Sequence, residues 1–434
     1  MLKLVHIIER FGTAGPERSI LAAAKYAARA GLHHEHTVCP LTCAISPLAL
    51  ALARQSGVKV LRTPAAAARA EVLTGADIVI AHFWNNPALY GWLRSALPPM
   101  RLMVWLKIFG SHRPQVIPSP LYAFADLLVA TSPGTLTLPG FAVQAPSTPV
   151  VFGLADFDRL ANFAPQPHTG FVVGYVGGLG PGKVHPEFVA MSAAVCKPSA
   201  RFVVCGSGAW QPLQQQAQAL GATERFDYRG YVESIGRTLA EFDLFGYPLS
   251  PETYATSEKA LQEAMWVGLP PVVFSHGGVR YLVEDGVTGR VVESAGAYTS
   301  AIEQLCQAPA ERAHLGANAR EYARATFDPL RGVRQLTELY KQLMESPKRE
   351  RQWPADGHTP AEWFAASLGD QGGAFARSLR GPDGAAEAEI AAASDLLFSG
   401  EGGIAHYHNT YPDDPHLRFW ASLVRQQRRQ HAIG

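Results

Sequence analysis

Along the first 160 residues, short β-branched and aromatic runs alternate with Ala/Leu-rich helical stretches; after one polar interruption the alternation begins again. The first series reads LKLVHII, the helix-like ERSILAAAKYAARAG, then HTVCPL, GVKVLRT, ADIVIAHF, RLMVWLKIF and ADLLVATS. Apolar strands separated by helices imply βαβ units, and so a parallel sheet covered on both faces. The interruption is NFAPQPHTG, at 162–170. Beyond it GFVVGYVGG, the helical HPEFVAMSAAV, ARFVVCGSG, RFDYRGYV, FDLFGYPL and LPPVVFS repeat the pattern, and three helical segments close it by about residue 345. The expectation is two doubly wound Rossmann-like α/β domains, 1–162 and 163–345.

Residues 346–434 differ. SPKRERQWPADGH reads as a charged, breaker-rich linker, followed by helical pieces and a closing LRFWASLVRQQRRQ. In that last piece Leu417, Trp420, Ala421 and Val424 share one helical face, with Arg425, Arg428 and Arg429 close behind. Such a basic amphipathic end suits either peripheral contact with a membrane or packing on its own protein, and packing is the commoner outcome.

Lys plus Arg (38) nearly cancels Asp plus Glu (37), which gives no general electrostatic reason to bind nucleic acid. No stretch approaches the length of an apolar membrane span, and the first residues are too short a run for a signal peptide. Five cysteines, few and odd in number, fit a reducing cytoplasm, with the inner-membrane periphery as the alternative location.

Several patterns mimic sites. Gly177–Lys183, GGLGPGK, has the spacing of a phosphate-binding P-loop, but Val184 stands where the Mg²⁺-binding hydroxyl belongs. His33, His34, His36, Cys39 and Cys43 crowd together, yet they run from a turn into a strand, where alternate residues point to opposite faces. No metal site is expected from them. Asp156-Phe157-Asp158 reads as a turn and helix start.

Three segments of the second half make a better constellation. GYVGGLGPGK is a glycine-rich turn ending in Lys183; glycines let backbone N–H groups approach an anion, and a helix start with Lys183 would add positive charge. In FVVCGSGAW, Gly206 and Gly208 follow a buried strand, so that with RGYV at 229–232 they mark the carboxyl edge of the same sheet. In SPETYATSEKALQEAMWVGLPPVV, Thr256 and Ser257 are N-cap candidates for a helix from about Glu258 to Trp266, stopped at Gly268. Glu263 on that helix points toward the sheet and needs a hydrogen-bond donor, which a ribose hydroxyl pair or a neighbouring backbone would satisfy.

From residue 1 to about 345 the chain resembles the family 4 retaining glycosyltransferases, of GT-B fold, as a divergent member. TAGPERSILAAAKYAARAG is similar to that family's first loop and helix, and VVFGLADFDRL to its crossover between domains. RFVVCGSG, FDYRGYV, EKALQEAMWVGLPPVV and HGGVRYLVEDGVTGRVV follow in the family's order and spacing. The resemblance implies two Rossmann-like domains facing a cleft, with a C-terminal helical extension added here. It implies transfer of a sugar from a nucleotide-diphosphate donor, UDP- or GDP-linked, to a hydroxyl of a glycan, lipid-linked or protein acceptor, with retention and without a metal or other cofactor. Polysaccharide or glycoconjugate assembly is the expected setting.

By resemblance, Gly15 would sit under the donor phosphates and Lys183 would contact the diphosphate. Thr256, Ser257 and the neighbouring Glu258 would cradle the phosphates, with Gly178 and Gly206 lining the notch. Glu263 would bind the ribose, and Tyr231-Val232 would frame the base. The family's arginine five residues before the lysine is Gly178 here, and its glutamate eight before Glu263 is Ala255. Glu252 is the substitute for that glutamate. The N-domain histidine near the sugar has Lys107 at the closest alignment and His112 five residues on, so His112 is the candidate, with His82 read as structural on its earlier strand end. The alternatives are a nucleotide-sugar epimerase or hydrolase on the same fold, and a nucleotide-sugar-binding protein without catalysis.

Overall fold

The computed structural model describes residues 1–62, 65–144 and 147–433. It divides into two compact units, Met1–Val151 with Val333–Gly434, and Phe152–Gly332. Residues 152–162 thus belong with the second unit and residues 333–345 with the first, against the expected bounds of 1–162 and 163–345.

In the first unit the strands are β1 (Leu2–Ile8), β2 (His34–Pro40), β3 (Lys59–Val60), β4 (Ile78–Phe83), β5 (Leu102–Leu106), a small hairpin of β6 (Ser111–His112) and β7 (Gln115–Val116), and β8 (Leu127–Val129). The main sheet runs β3-β2-β1-β4-β5-β8 with every pairing parallel. This is the doubly wound order the alternation predicts: the chain winds outward one way from β1, then returns to its other side.

One face of this sheet carries a buried polar seam. The two-residue period of a strand turns His36 of β2, His6 of β1 and His82 of β4 to the same side. His6 Nε2 lies 2.9 Å from His36 Nδ1, and His6 Nδ1 2.9 Å from His82 Nε2. All three rings are buried. Burial, the neighbouring His36 and the Lys107 charge hold His6 well below its ordinary pKa. Burial and the His34 charge bring His36 down to about 3. His6 and His36 are therefore neutral imidazoles, each able to give one N–H and accept another. The local His/Cys cluster is resolved by this geometry: His36 turns to His6 across the sheet, while Cys43 is exposed beyond the strand.

Residues 346–358, expected as a linker, form no helix or strand but are fastened to this unit. Arg351 pairs with Asp126 at 2.6 Å, Arg94 donates to Gly357 O at 2.9 Å, and Trp353 packs edge-on against Phe124 and Tyr90. The helices beyond build a separate small core in which Leu417, Trp420, Ala421 and Val424 are buried with Phe364, Phe375 and Tyr407. The apolar face of the closing helix, Pro415–Ile433, is thus spent within the protein. Among the described residues no helix is long and apolar enough to cross a membrane.

In the second unit the strands are β9 (Phe171–Val176), β10 (Ala200–Cys205), β11 (Phe226–Gly230), β12 (Leu244–Tyr247), β13 (Pro271–Phe274) and β14 (Arg290–Val292), in the order β11-β10-β9-β12-β13-β14. The order repeats that of the first unit, and again all pairings are parallel. The strand reversal falls between β9 and β12, the place where open α/β sheets bind ligands at their carboxyl edge.

Candidate active site

The turn after β9 is built on close backbone approach. Tyr175, stacked on Tyr247 with centroids 5.3 Å apart, donates its hydroxyl to Gly178 O at 2.7 Å and so supports the turn from below. A Cβ on Gly206, where φ is +155°, would lie 1.6 Å from Gly177 O. Gly177 N–H donates to Cys205 O and Leu179 N–H to Ser207 O, each at 2.9 Å. The two glycine-rich turns therefore lie backbone on backbone. Gly206 is required there by space; Gly178 is not, since a Cβ on it would meet only Lys183 Cγ at 3.9 Å.

Lys183 ends this turn. The expected helix over HPEFVAMSAAV begins only at Phe188 and runs to Ala193, because Pro186 and the His185 turn delay it. The start of that helix consequently lies beyond the turn that Lys183 ends. The ammonium instead meets Glu258, with both carboxylate oxygens at 3.1 Å, and lies 5.3 Å from the Tyr254 ring centroid. Glu258 also accepts the Tyr247 hydroxyl at 2.7 Å. Burial would raise its carboxyl; Lys183 and the Tyr247 hydroxyl outweigh burial and hold it below its ordinary pKa. Burial and that carboxylate together push the Tyr247 phenol well up.

The helix after this loop spans Lys259–Val267, with Glu258 as its N-cap residue and Gly268, at φ +87°, closing it as expected. Thr256 and Ser257 do not cap it, which corrects that expectation. Glu258 caps through its backbone conformation alone, its side chain being directed to Lys183. The Ser257 hydroxyl accepts from Gly153 N–H at 2.8 Å and from Gln262 Nε2 at 2.7 Å, tying the loop to the chain entering this unit. Thr256 is buried under Gly278, whose N–H donates to Ala255 O at 2.7 Å.

Ala255, at the position of the family's first glutamate, is only 2% exposed beneath this HGG turn. A carboxylate there would enter the core. Glu252, three residues upstream, is half-buried on the loop after β12. Glu263 is buried, and its partner is Arg159, with Nη1 3.2 Å from Oε1. Arg159 lies in the short 3-10 helix Phe157–Leu160, where Asp156 caps Asp158 N–H at 3.3 Å, as the sequence suggests for this Asp-x-Asp. Tyr231 is exposed and Val232 half-buried in the turn after β11.

The structure thus brings Lys183, Glu258, Gly178 and Gly206 to one rim, with Ser257 and Glu263 along the same loop and helix. Gly15 starts the helix Gly15–Arg29, and His112, bonded to Ser111 Oγ at 2.7 Å, sits in the β6–β7 hairpin; both belong to the first unit. Sequence reading missed Tyr247, Tyr254 and Arg159. A tyrosine closing a buried strand, FGYPL, was the available signal for Tyr247; nothing local marked Arg159 as the partner of a residue 104 positions away.

Residues 170–308 match the family model described as Glycosyl transferases group 1. The D-inositol 3-phosphate glycosyltransferase of Mycobacterium leprae is 32% identical over 169 residues, 37% of this chain and 37% of that protein. The GDP-mannose-dependent alpha-mannosyltransferase of Mycolicibacterium smegmatis is 31% identical over 151 residues, 35% and 36% of the two chains. The match thus spans little more than a third of the length of these relatives. Among solved structures, Anabaena HepE in complex with UDP-glucose superimposes with a TM-score of 0.64 at 20% identity, covering 79% of this chain and 100% of that one. Sucrose-phosphate synthase from Thermosynechococcus elongatus gives 0.61 at 18%, covering 80% and 100%. The chain therefore has the GT-B fold, two Rossmann-like domains with a C-terminal helical region, and its second domain is similar in sequence to glycosyltransferases.

Proposed function

We propose that this protein is a retaining, metal-independent glycosyltransferase that moves a sugar from a UDP- or GDP-sugar to a hydroxyl acceptor, with the donor held by the second unit. The observation that carries the reading is the Lys183 ammonium at the rim between β9 and β12, beside two backbone-packed glycine turns. The match of residues 170–308 to a glycosyltransferase model supports it, as does the likeness to relatives named for glycosyl transfer.

In this reading Lys183 exchanges Glu258 for the donor diphosphate. The bond from the anomeric carbon to the phosphate oxygen breaks, the acceptor oxygen bonds that carbon on the same face, and the acceptor's proton passes to the leaving phosphate. The protein's contribution is mainly to stabilise charge growing on the leaving group. Glu263, oriented by Arg159, takes the ribose hydroxyls; Tyr231-Val232 frames the base; Thr256 and Ser257 shape the phosphate loop. Glu252 and His112 are the proposed contacts to the transferred sugar, and Gly15 the first-unit approach to the phosphates. A glycan, lipid-linked or protein hydroxyl is the acceptor, and cytoplasmic polysaccharide or glycoconjugate assembly the setting. Any contact with the inner membrane would rest on Arg425 and Arg429, since the closing helix buries its apolar face.

The test is transfer and hydrolysis from a panel of nucleotide sugars by the wild type, Lys183→Ala and Glu263→Gln. Equal activity in all three removes the site assignment. Binding of UDP or GDP without any turnover favours the second reading, a nucleotide-sugar-binding protein, which Gly178 and the neutralising Glu258 motivate.

A further inference from the structure

The carboxyl rim of the first sheet holds a second polar constellation, one to which the C-terminal segment contributes. Glu9 follows β1 directly and is 4% exposed. His406 Nε2 lies 3.0 Å from its Oε1. Its Oε2 has no hydrogen-bond donor and lies 3.8 Å from Arg10 Nη1. A buried acceptor left in that state is destabilising, so it calls for a reason.

His406 is held at both ring nitrogens. Gly402 N–H donates to Nδ1 at 3.2 Å, which leaves the ring proton on Nε2, directed at Glu9. The segment bearing it is seated closely. Gln115 Nε2 donates to Asn85 O at 2.8 Å and to Glu401 O at 2.7 Å, and Asn85 Nδ2 donates to Ser367 O at 2.9 Å. At Gly402, with φ +84°, a Cβ would lie 2.1 Å from Asn85 O. The loop after β4 and the β6–β7 hairpin therefore aim the imidazole.

Beside this pair is Trp84, 8% exposed, stacked with His406 at 6.1 Å and covered by the Arg10 guanidinium 5.4 Å from its centroid. Arg10 is 45% exposed, and its ion pairs to Glu9 and Glu401 are long, 3.8 and 3.7 Å. Exposed, loosely paired arginines are weakly held. Swinging Arg10 into solvent uncovers the indole and Glu9 Oε2 together.

We infer that Glu9 and Trp84, positioned by His406, form a binding site for a neutral sugar ring of the acceptor, and that the C-terminal segment is a working part of it. A carboxylate oxygen lacking a donor accepts a sugar hydroxyl, and an indole face packs against the ring's apolar C–H side. The choice of a sugar as ligand rests on the proposed function. His406 is a positioning residue: both its nitrogens are engaged, so it acts through Glu9.

Full-length protein is applied to an array of immobilised neutral mono- and oligosaccharides, while UDP and GDP binding is followed in parallel by calorimetry. Wild-type protein is captured by at least one glycan. Glu9→Gln and Trp84→Ala weaken that capture by roughly tenfold, the loss of one such contact; Trp84→Phe retains it, and nucleotide binding is unchanged in each. Should Glu9→Gln fail to fold, Trp84→Ala set against Trp84→Phe decides the matter. Undiminished capture by Glu9→Gln and Trp84→Ala overturns the inference, as does wild-type protein held by no glycan. Absence of UDP and GDP binding in the wild type counts against the proposed function alone, and glycan capture is then read independently.

Discussion

Arg159 Nη1 stands 3.2 Å from Glu263 Oε1, joining the short helix near the start of the second unit to the helix that follows the β12 loop. Glu263 is buried and Arg159 is partly exposed. Glu263→Gln keeps the shape and removes the charge, leaving the guanidinium with a weaker acceptor. A loss of about 1–2 kcal/mol in unfolding free energy is expected, below the figure for a fully buried pair because solvent reaches Arg159. Urea unfolding measures it; an unchanged midpoint would show that the pair contributes nothing.

Gly178 offers a gain-of-function test. Its Cβ position is open apart from Lys183 Cγ at 3.9 Å. Gly178→Arg supplies a second cation at the rim, and one added charge-assisted contact is worth about 1.5 kcal/mol, or roughly tenfold tighter UDP or GDP binding. The gain should shrink as salt rises. Equal or weaker binding at low salt would count against a diphosphate at this position.

Gly206 offers the opposite case. Adding a methyl there places Cβ 1.6 Å from Gly177 O, so one of the two turns must move. Gly206→Ala is expected to destabilise the protein by about 2 kcal/mol or more and to weaken nucleotide binding, whereas Gly178→Ala should change stability by less than about 0.5 kcal/mol. Thermal unfolding of the two variants, side by side, checks the contrast.

The buried histidines set an acid limit on stability. His6 and His36 both have lower proton affinity folded than unfolded, His36 down to about 3. The unfolded chain therefore takes up protons first as pH falls below about 6.5. Stability present above that pH is lost on the way down, at up to about 1.4 kcal/mol per pH unit for each ring. Urea midpoints at a series of pH values below neutrality should fall accordingly, and His36→Asn should flatten the slope. A midpoint independent of pH in that window would mean these rings are protonated in the folded protein.

Much of the fold was legible because its signal is local. Strand runs such as LKLVHII and ADIVIAHF appear where expected, and the Gly268 stop is a matter of one residue's backbone freedom. The fate of residues 346–358 was not legible: their charges read as solvated, yet Arg351 and Trp353 are buried against the first unit. At the candidate site the glycine turns and Lys183 stand out by type and spacing. Their partners do not, since Glu258, Tyr247 and Arg159 are chosen by packing across the sheet edge. The histidine seam likewise joins residues 30 and 76 positions apart, which no window of sequence brings together.

The central claim is that Lys183 receives a nucleotide diphosphate without help from a metal. Calorimetric titration of UDP and of GDP into the wild type and Lys183→Ala, both in the presence of a chelator, tests it most directly. The account predicts that the wild type binds at least one of the two at a single site, and that Lys183→Ala weakens this by roughly tenfold, the worth of one charge-assisted contact. Equal affinity in the two proteins, or binding that appears only when a divalent cation is restored, would contradict it.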